Sequence, residues 1–349
     1  MRGEQGQEEN GSASVGGRKL DFTVIGAQRA GTTSLWMHMR GHPQLYLPPD
    51  KEVSFFSADA RYARGLPEYL DEHFALAPSD ALLGTVTPHY MAGSESASLD
   101  AVVDRMASTA PGIRLIAILR DPIQRAFSEY RLTVHRGLES HGFSKAVHTQ
   151  LAQPALDKAR AMPKKGTTYV AQGEYGRILD RYLQSFSRDQ LLVLPTAELQ
   201  ADPARTMERI FGFLGVDCTY VPENLDRIYF RGGTQRRLSA EDEAELSEYL
   251  EESVWPRMGD PRVAEDAKRG FEFWLRHWNV IPDERPRWKL KPYIEEELRS
   301  HYRSDAELLT SLTGFEPPWI SDWDDSPVEN GAPGKKAEDG HEAPVRQLS

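Results

Sequence analysis

The segment Gly26-Ala27-Gln28-Arg29-Ala30-Gly31-Thr32-Thr33-Ser34 sets two glycines around an arginine and ends in three hydroxyl side chains. The frame G-x-x-x-x-G-T-T lets successive backbone N–H groups wrap a phosphate or sulfate at the start of a helix. A nucleoside triphosphatase would carry lysine where Thr32 stands, because that lysine reaches the β and γ phosphates and the next hydroxyl holds magnesium. Here the positive charge sits inside the loop at Arg29, whose planar guanidinium can meet an oxyanion with two parallel hydrogen bonds. Taken alone, the pattern also fits a strand–turn–helix connection whose glycines only make the turn. Its place after an apolar strand and before a helix favours oxyanion binding.

Two further groups fit the same chemistry. Arg120 ends a buried strand, where open α/β sheets bind ligands, and Ser128 lies early in the helix that follows. A salt bridge to Asp121 or a capping role is the plainer reading of Arg120. Glu52 follows Pro48-Pro49 in Lys51-Glu52-Val53-Ser54-Phe55-Phe56. A hydroxyl is a poor nucleophile until a carboxylate or imidazole takes its proton, and Glu52 is a candidate for that work. Without other information a glutamate beside a lysine is solvated surface. His89 and His135 are rival bases, each equally at home as a helix-end or packing histidine.

These residues need elements to position them. Short apolar runs of strand length occur at Leu20–Ile25, Leu82–Val86, Ile113–Leu119 and Leu191–Leu194. They alternate with amphipathic helices, the pattern of a parallel sheet covered on both faces. A helix is expected over Ser34–Arg40, stopped by Gly41 and Pro43. Ile123, Phe127, Tyr130 and Val134 recur at helical spacing ahead of Gly137. In DPARTMERIFGFLG, Asp202 is the N-cap, Pro203 the first helical residue and Gly215 the stop, with Met207, Ile210, Phe211 and Leu214 as the apolar stripe. Ser239–Glu252 reads as an acidic helix with a capping box of Ser239 and Asp242, and another amphipathic helix falls near Ile294–Leu312. No repeat or linker divides the chain, so one domain over 19–323 is expected between tails at 1–18 and 324–349. Both tails are too poor in large apolar residues to offset the entropy of ordering.

Bulk properties narrow the classes. With 349 residues and 39% hydrophobic content the chain can bury a sizeable core. A formal charge of −11 argues against a general nucleic-acid binder, so any basic site must be local. The single cysteine, Cys218, excludes an internal disulfide and a cysteine zinc cluster and fits a reducing compartment. No stretch approaches the roughly 18 apolar residues of a membrane span, and the N-terminal residues lack a signal-peptide core. A cytoplasmic location is the expectation.

Taken together, VIGAQRAGTTSL, KEVSFF and LIAILRDPIQRAFSEY resemble the sulfotransferase family, in particular bacterial members related to the heparan sulfate sulfotransferases. The resemblance continues through GEYGRILDRYLQSF and LQADPARTMERIFGFLG to Leu214, and LRSHYRSDAELLTSLTGFEPPW is similar to the family's closing helix. It implies a P-loop-type α/β fold and 3′-phosphoadenosine 5′-phosphosulfate as the donor. By resemblance Arg29, Ala30, Gly31, Thr32, Thr33 and Ser34 hold the 5′-phosphosulfate, Arg120 and Ser128 the 3′-phosphate, and Glu52 is the general base. The family most often has lysine at the position of Arg29, and some members have lysine at that of Val86. No metal is implied, since the donor carries no triphosphate to neutralise. The family's basic loop over the donor falls either at Arg236-Arg237 or at Arg287-Trp288-Lys289. Phe271, Phe273, Trp274 and Trp278 either line an acceptor cleft or pack a core. The acceptor is a carbohydrate or a small molecule, through a hydroxyl or an amine. Two competing readings are a P-loop nucleotide kinase and a non-catalytic nucleotide-binding module that uses the acidic helix as its contact.

Overall fold

The computed structural model describes residues 18–94, 96–136, 138–161, 168–227, 229, 234–236, 240–277, 280–282 and 290–324. Five parallel strands form the central sheet: β1 (Phe22–Gly26), β2 (Leu45–Tyr46), β3 (Leu82–Val86), β4 (Arg114–Leu119) and β5 (Leu191–Pro195). Their spatial order is β2-β3-β1-β4-β5. The four expected strands are present within two residues of their expected limits. The edge strand β2 went unread, because two residues carry no period.

Helices cover both faces, so the inner strands are mostly apolar, with Thr23, Thr85 and Arg114 as the polar exceptions. Leu115 to Leu119 are fully buried. The β1–β3 pairing sets Phe22 against Gly84, Thr23 against Thr85 and Val24 against Val86, and the Thr23 and Thr85 hydroxyls bond to each other at 2.9 Å inside the core. Strand β1 pairs with β3 on one side and with β4 on the other, and the chain passes from the β2–β3 side to the β4–β5 side across it. The carboxyl end of β1 is therefore the topological switch point, the place where open α/β sheets bind ligands.

The helices follow their sequence signals. Thr32–Met39 follows β1 directly. Pro122–His135 follows β4, with Asp121 as N-cap accepting from the Ile123 and Gln124 amides. Pro203–Leu214 starts on the Asp202 cap and ends on Gly215 in the left-handed conformation. The acidic helix runs over Ala240–Tyr249; Ser239 of the expected capping box lies outside the described residues. A short antiparallel ribbon pairs β6 (Thr234–Arg236) with β7 (Val280–Pro282). Gly137, Arg237, Trp278, Arg287, Trp288 and Lys289 also lie outside the described residues.

The 22-residue helix Pro292–Thr313 locks the far side. Its Asp305 carboxylate accepts from the Gly176 and Arg177 amides at 2.8 and 2.9 Å, capping the Tyr175–Leu183 helix from outside. Beside it, Glu174 is 2% exposed and accepts two hydrogen bonds from Arg160 and one from Arg177. His301 of the long helix lies 3.1 Å from the same carboxylate. Burial alone would raise the Glu174 carboxyl; the hydrogen bonds from His301 and Arg160 and the Arg177 charge outweigh it and hold it at about 2. Beyond the long helix, Trp323 reaches the Asp121 carboxylate at 3.4 Å.

No helix among the described residues is long and apolar enough to cross a membrane.

Candidate active site

Four strand ends meet on one edge of the sheet, and each delivers residues to it. The end of β1 is Gly26, where a Cβ would lie 2.6 Å from the Met91 sulfur, so a larger residue there requires the Met91 side chain to shift. The loop then turns through Arg29 at φ 66° and Gly31 at φ 94°, both left-handed. Gly31 meets that demand without strain, whereas Arg29 does not. The helix that opens at Thr32 has no side-chain cap on its N-terminus and no acidic residue in its first turn. Its orphan N–H groups and the positive end of its dipole are thus left for an anion. Thr32, Thr33 and Ser34 are buried beneath that turn.

The β4 end brings Arg120 and, one helical turn and a half further, Ser128. Arg29 Nε donates to Ser128 Oγ at 3.1 Å, and Arg120 Nη1 donates to the Arg29 carbonyl at 3.3 Å. Arg29, Arg120 and Ser128, three of the residues expected to bind the donor's phosphate groups, are therefore one cluster. Asp121 serves the helix N-terminus instead of pairing with Arg120. Burial is the main influence lowering the Arg29 guanidinium to about 10; Glu129 opposes it and the Arg120, Arg136 and Arg125 charges add to it. Arg29 still carries its charge at neutral pH. In a chain of net charge −11, the Arg120, Arg125 and Arg136 charges felt at Arg29 make a local positive site.

Two braces were not visible in the sequence. Thr196, one residue past β5, shares its hydroxyl hydrogen between the Ala30 and Leu119 carbonyls at 2.7 and 3.0 Å. It ties the phosphate loop to the β4 end. Tyr175 donates to the Arg120 carbonyl at 2.9 Å. Neither residue type at its position carries a motif, because the contacts span 55 or more residues.

Glu52 approaches from the β3 side, where its amide donates to the Val86 carbonyl at 3.2 Å. It holds φ 69°, and with Arg29 it is one of two non-glycine residues at positive φ among the described residues. Lys51, whose side chain is 3% exposed, donates to Glu52 Oε1 at 2.7 Å. His89 Nε2 lies 3.3 Å from Glu52 Oε2. Although burial pushes the Glu52 carboxyl up, the Lys51 charge and the His89 hydrogen bond prevail and hold it well below the usual carboxylate range. The Glu52 side chain is 38% exposed, so it remains open to a second molecule. Of the rival bases, His89 is therefore beside Glu52, while His135 ends the helix after β4. Val86 is buried at the end of β3 and offers no charge.

Of the aromatic run, the side chains of Phe273, Trp274 and Trp278 lie outside what the structure describes. Phe271 is half-buried, with its ring 6.3 Å from that of Trp255. Arg236 lies in β6. Among the described residues no group of three or more His, Cys, Asp or Glu side chains is placed to hold a metal ion.

Comparison with known proteins adds four findings. The sulfotransferase domain family matches residues 19–245. A bifunctional heparan sulfate N-deacetylase/N-sulfotransferase 4 from Mus musculus is 32% identical over 210 residues, 57% of this chain, and the chain spans 22% of that protein's length. A membrane-associated sulfotransferase, kil1, from Dictyostelium discoideum is 30% identical over 133 residues, 37% of this chain and 26% of its own. A crystal structure of a sulfotransferase from Alicyclobacillus acidocaldarius superposes with a TM-score of 0.60 at 20% identity, covering 88% of this chain and 99% of the other. That likeness is one of fold.

Proposed function

Because the chain belongs to the sulfotransferase domain family, we propose that it moves a sulfuryl group from 3′-phosphoadenosine 5′-phosphosulfate to an acceptor. The acceptor oxygen or nitrogen attacks sulfur in line. The bond from sulfur to the bridging oxygen breaks, adenosine 3′,5′-bisphosphate leaves, and the acceptor proton passes to Glu52. Arg29 and the amides from Ala30 to Ser34 hold the charge that grows on the departing phosphate, a preorganised electrostatic contribution of the kind that dominates such reactions. Arg120 and Ser128 take the 3′-phosphate.

The observation that carries this reading is the convergence of Arg29, Arg120 and Ser128 on an uncapped helix start. Backbone strain supports it. Residues forced to positive φ collect where function demands them, and the two here are the two residues assigned to the chemistry. The donor site needs no metal, because the arginine cluster and the helix start supply the positive charge.

For the acceptor we propose a carbohydrate amine or hydroxyl, by analogy with the heparan sulfate N-sulfotransferase of Mus musculus. A cytoplasmic location is also proposed, supported by the single cysteine.

Calorimetric titration with adenosine 3′,5′-bisphosphate beside ATP and magnesium tests the donor site. The bisphosphate is expected to bind in preference, and Arg120→Ala to weaken it by about 1.5–3 kcal/mol, the contribution of a hydrogen bond to a charged group. Preference for ATP with magnesium would sink the reading in favour of a kinase.

A further inference from the structure

Gln28 Nε2 lies 2.5 Å from His89 Nδ1. An amide nitrogen is a donor, so Nδ1 accepts and the ring hydrogen sits on Nε2. There it faces Glu52 Oε2 at 3.3 Å. The other carboxylate oxygen is held by Lys51 at 2.7 Å. A continuous chain thus runs from the phosphate loop through an imidazole to the carboxylate, Gln28 to His89 to Glu52, across the border between β1 and β3.

We propose that His89 and Gln28 are positioning residues: His89 fixes the Glu52 carboxylate, and Gln28 fixes the tautomer of His89 and so couples the base to the donor loop. This rests on Glu52 being the base. The physical need is plain. A carboxylate at the end of a loop rotates about its side-chain torsions, and a displacement of about 1 Å can cost on the order of 10²-fold in rate. Lys51 restrains only one oxygen. The Nε2–H of His89 restrains the second, which fixes the plane of the group and leaves its remaining lone pairs for the acceptor proton. His89 can do so only as the Nε2–H tautomer, since an imidazole protonated on Nδ1 alone would turn a lone pair toward the carboxylate. Gln28 selects that tautomer by donating to Nδ1. Gln28 is the immediate neighbour of Arg29, so a change in the loop on donor binding is transmitted to the base through the His89 ring.

Two measurements on the full chain with adenosine 3′,5′-bisphosphate bound or with donor test this. Nitrogen-15 spectra of the histidine side chains at pH 8 are expected to show His89 with Nδ1 unprotonated and Nε2 protonated, and Gln28→Leu to lose that preference. A protonated Nδ1 in the wild type, or a tautomer indifferent to Gln28→Leu, would overturn the proposal. Turnover is read with de-N-sulfated heparan oligosaccharide as the probe acceptor. His89→Ala is expected to lower kcat on the order of 10²-fold with the Kd for bisphosphate little changed, and His89→Gln, whose amide nitrogen reaches the position of Nε2, to recover to within about fivefold of wild type. Gln28→Leu combined with His89→Ala is expected to be no worse than His89→Ala alone, since Gln28 acts through the ring. Unaltered kcat in His89→Ala, or no recovery in His89→Gln, refutes the positioning role. No turnover by the wild type with bisphosphate binding intact counts against the acceptor class proposed above, and the nitrogen spectra then decide the chain by themselves.

Discussion

Arg29 and Glu52 occupy backbone conformations that a side chain with a Cβ avoids, at a cost of about 1–3 kcal/mol each. Their neighbours hold them there: Ser128 and Arg120 bond to Arg29, and Lys51, His89 and the Val86 carbonyl bond to Glu52. The strain can be separated from the chemistry by comparing two substitutions that both remove the carboxylate. Glu52→Ala and Glu52→Gly should each lower turnover by roughly 10²- to 10⁴-fold. Both leave Lys51 short of its partner. They should differ in stability, with the glycine variant above the alanine variant by about 1 kcal/mol in denaturant unfolding, because only alanine keeps the left-handed penalty. Equal stabilities would mean that the backbone relaxes at this position. Arg29 and Arg120 were legible as candidates from their places in the glycine loop and at a strand end, whereas Ser128 and Glu52 drew their candidate roles from the family resemblance. The partners that hold them were not legible: Gln28 and Thr196 are ordinary polar residues whose meaning depends on which distant residues they face, and Lys51 beside Glu52 reads as a solvated pair until its burial is known.

The elements were legible where they carry their own punctuation. Pro203–Leu214 begins on Asp202 and Pro203 and ends on Gly215, and the structure follows those signals to the residue. The run Ile113–Leu119, apolar but for Arg114, reads as a strand buried on both faces, and β4 is buried from Leu115 onward. The edge strand β2 could not be read, since its two residues are defined by the neighbour they pair with. Spatial order was equally hidden: nothing local states that β1 lies between β3 and β4. The joint between elements is also where Thr196 acts, past the end of β5 and bonded to carbonyls from the β1 loop and the β4 end. Thr196→Val keeps the shape and removes the donor. It should cost about 1–3 kcal/mol of stability, since two buried carbonyls lose a shared partner, and weaken bisphosphate binding roughly three- to tenfold by loosening the loop. Stability loss with unchanged affinity would show that the loop is held by its other contacts.

For the molecule as a whole, the buried Glu174 cluster joins the Gln153–Ala161 helix, the Tyr175–Leu183 helix and the long Pro292–Thr313 helix. Its carboxyl is depressed in the folded state to about 2. The linked stability is therefore fully present above the unfolded value of about 4.3 and is lost as pH falls through that value toward 2. Glu174→Gln should be less stable than wild type at pH 7 by about 3 kcal/mol, the lower end for breaking a buried ion pair, because Arg160 and Arg177 are partly solvated. The gap should narrow as unfolding is followed from about pH 4 down to pH 2. A constant gap over that range would place the acid sensitivity elsewhere.

The switch of direction at β1 has one more consequence. The residues assigned to the donor hang from β1 and β4, while Glu52 and His89 belong to the β2–β3 side. The border between the two sets is the β1–β3 ladder of three register pairs, with the threonine bond across it. Descendants of such a chain can rewrite the loops on the β3 side, and so what they modify, while the currency they use stays fixed on the other. The sheet makes the two specificities separately heritable.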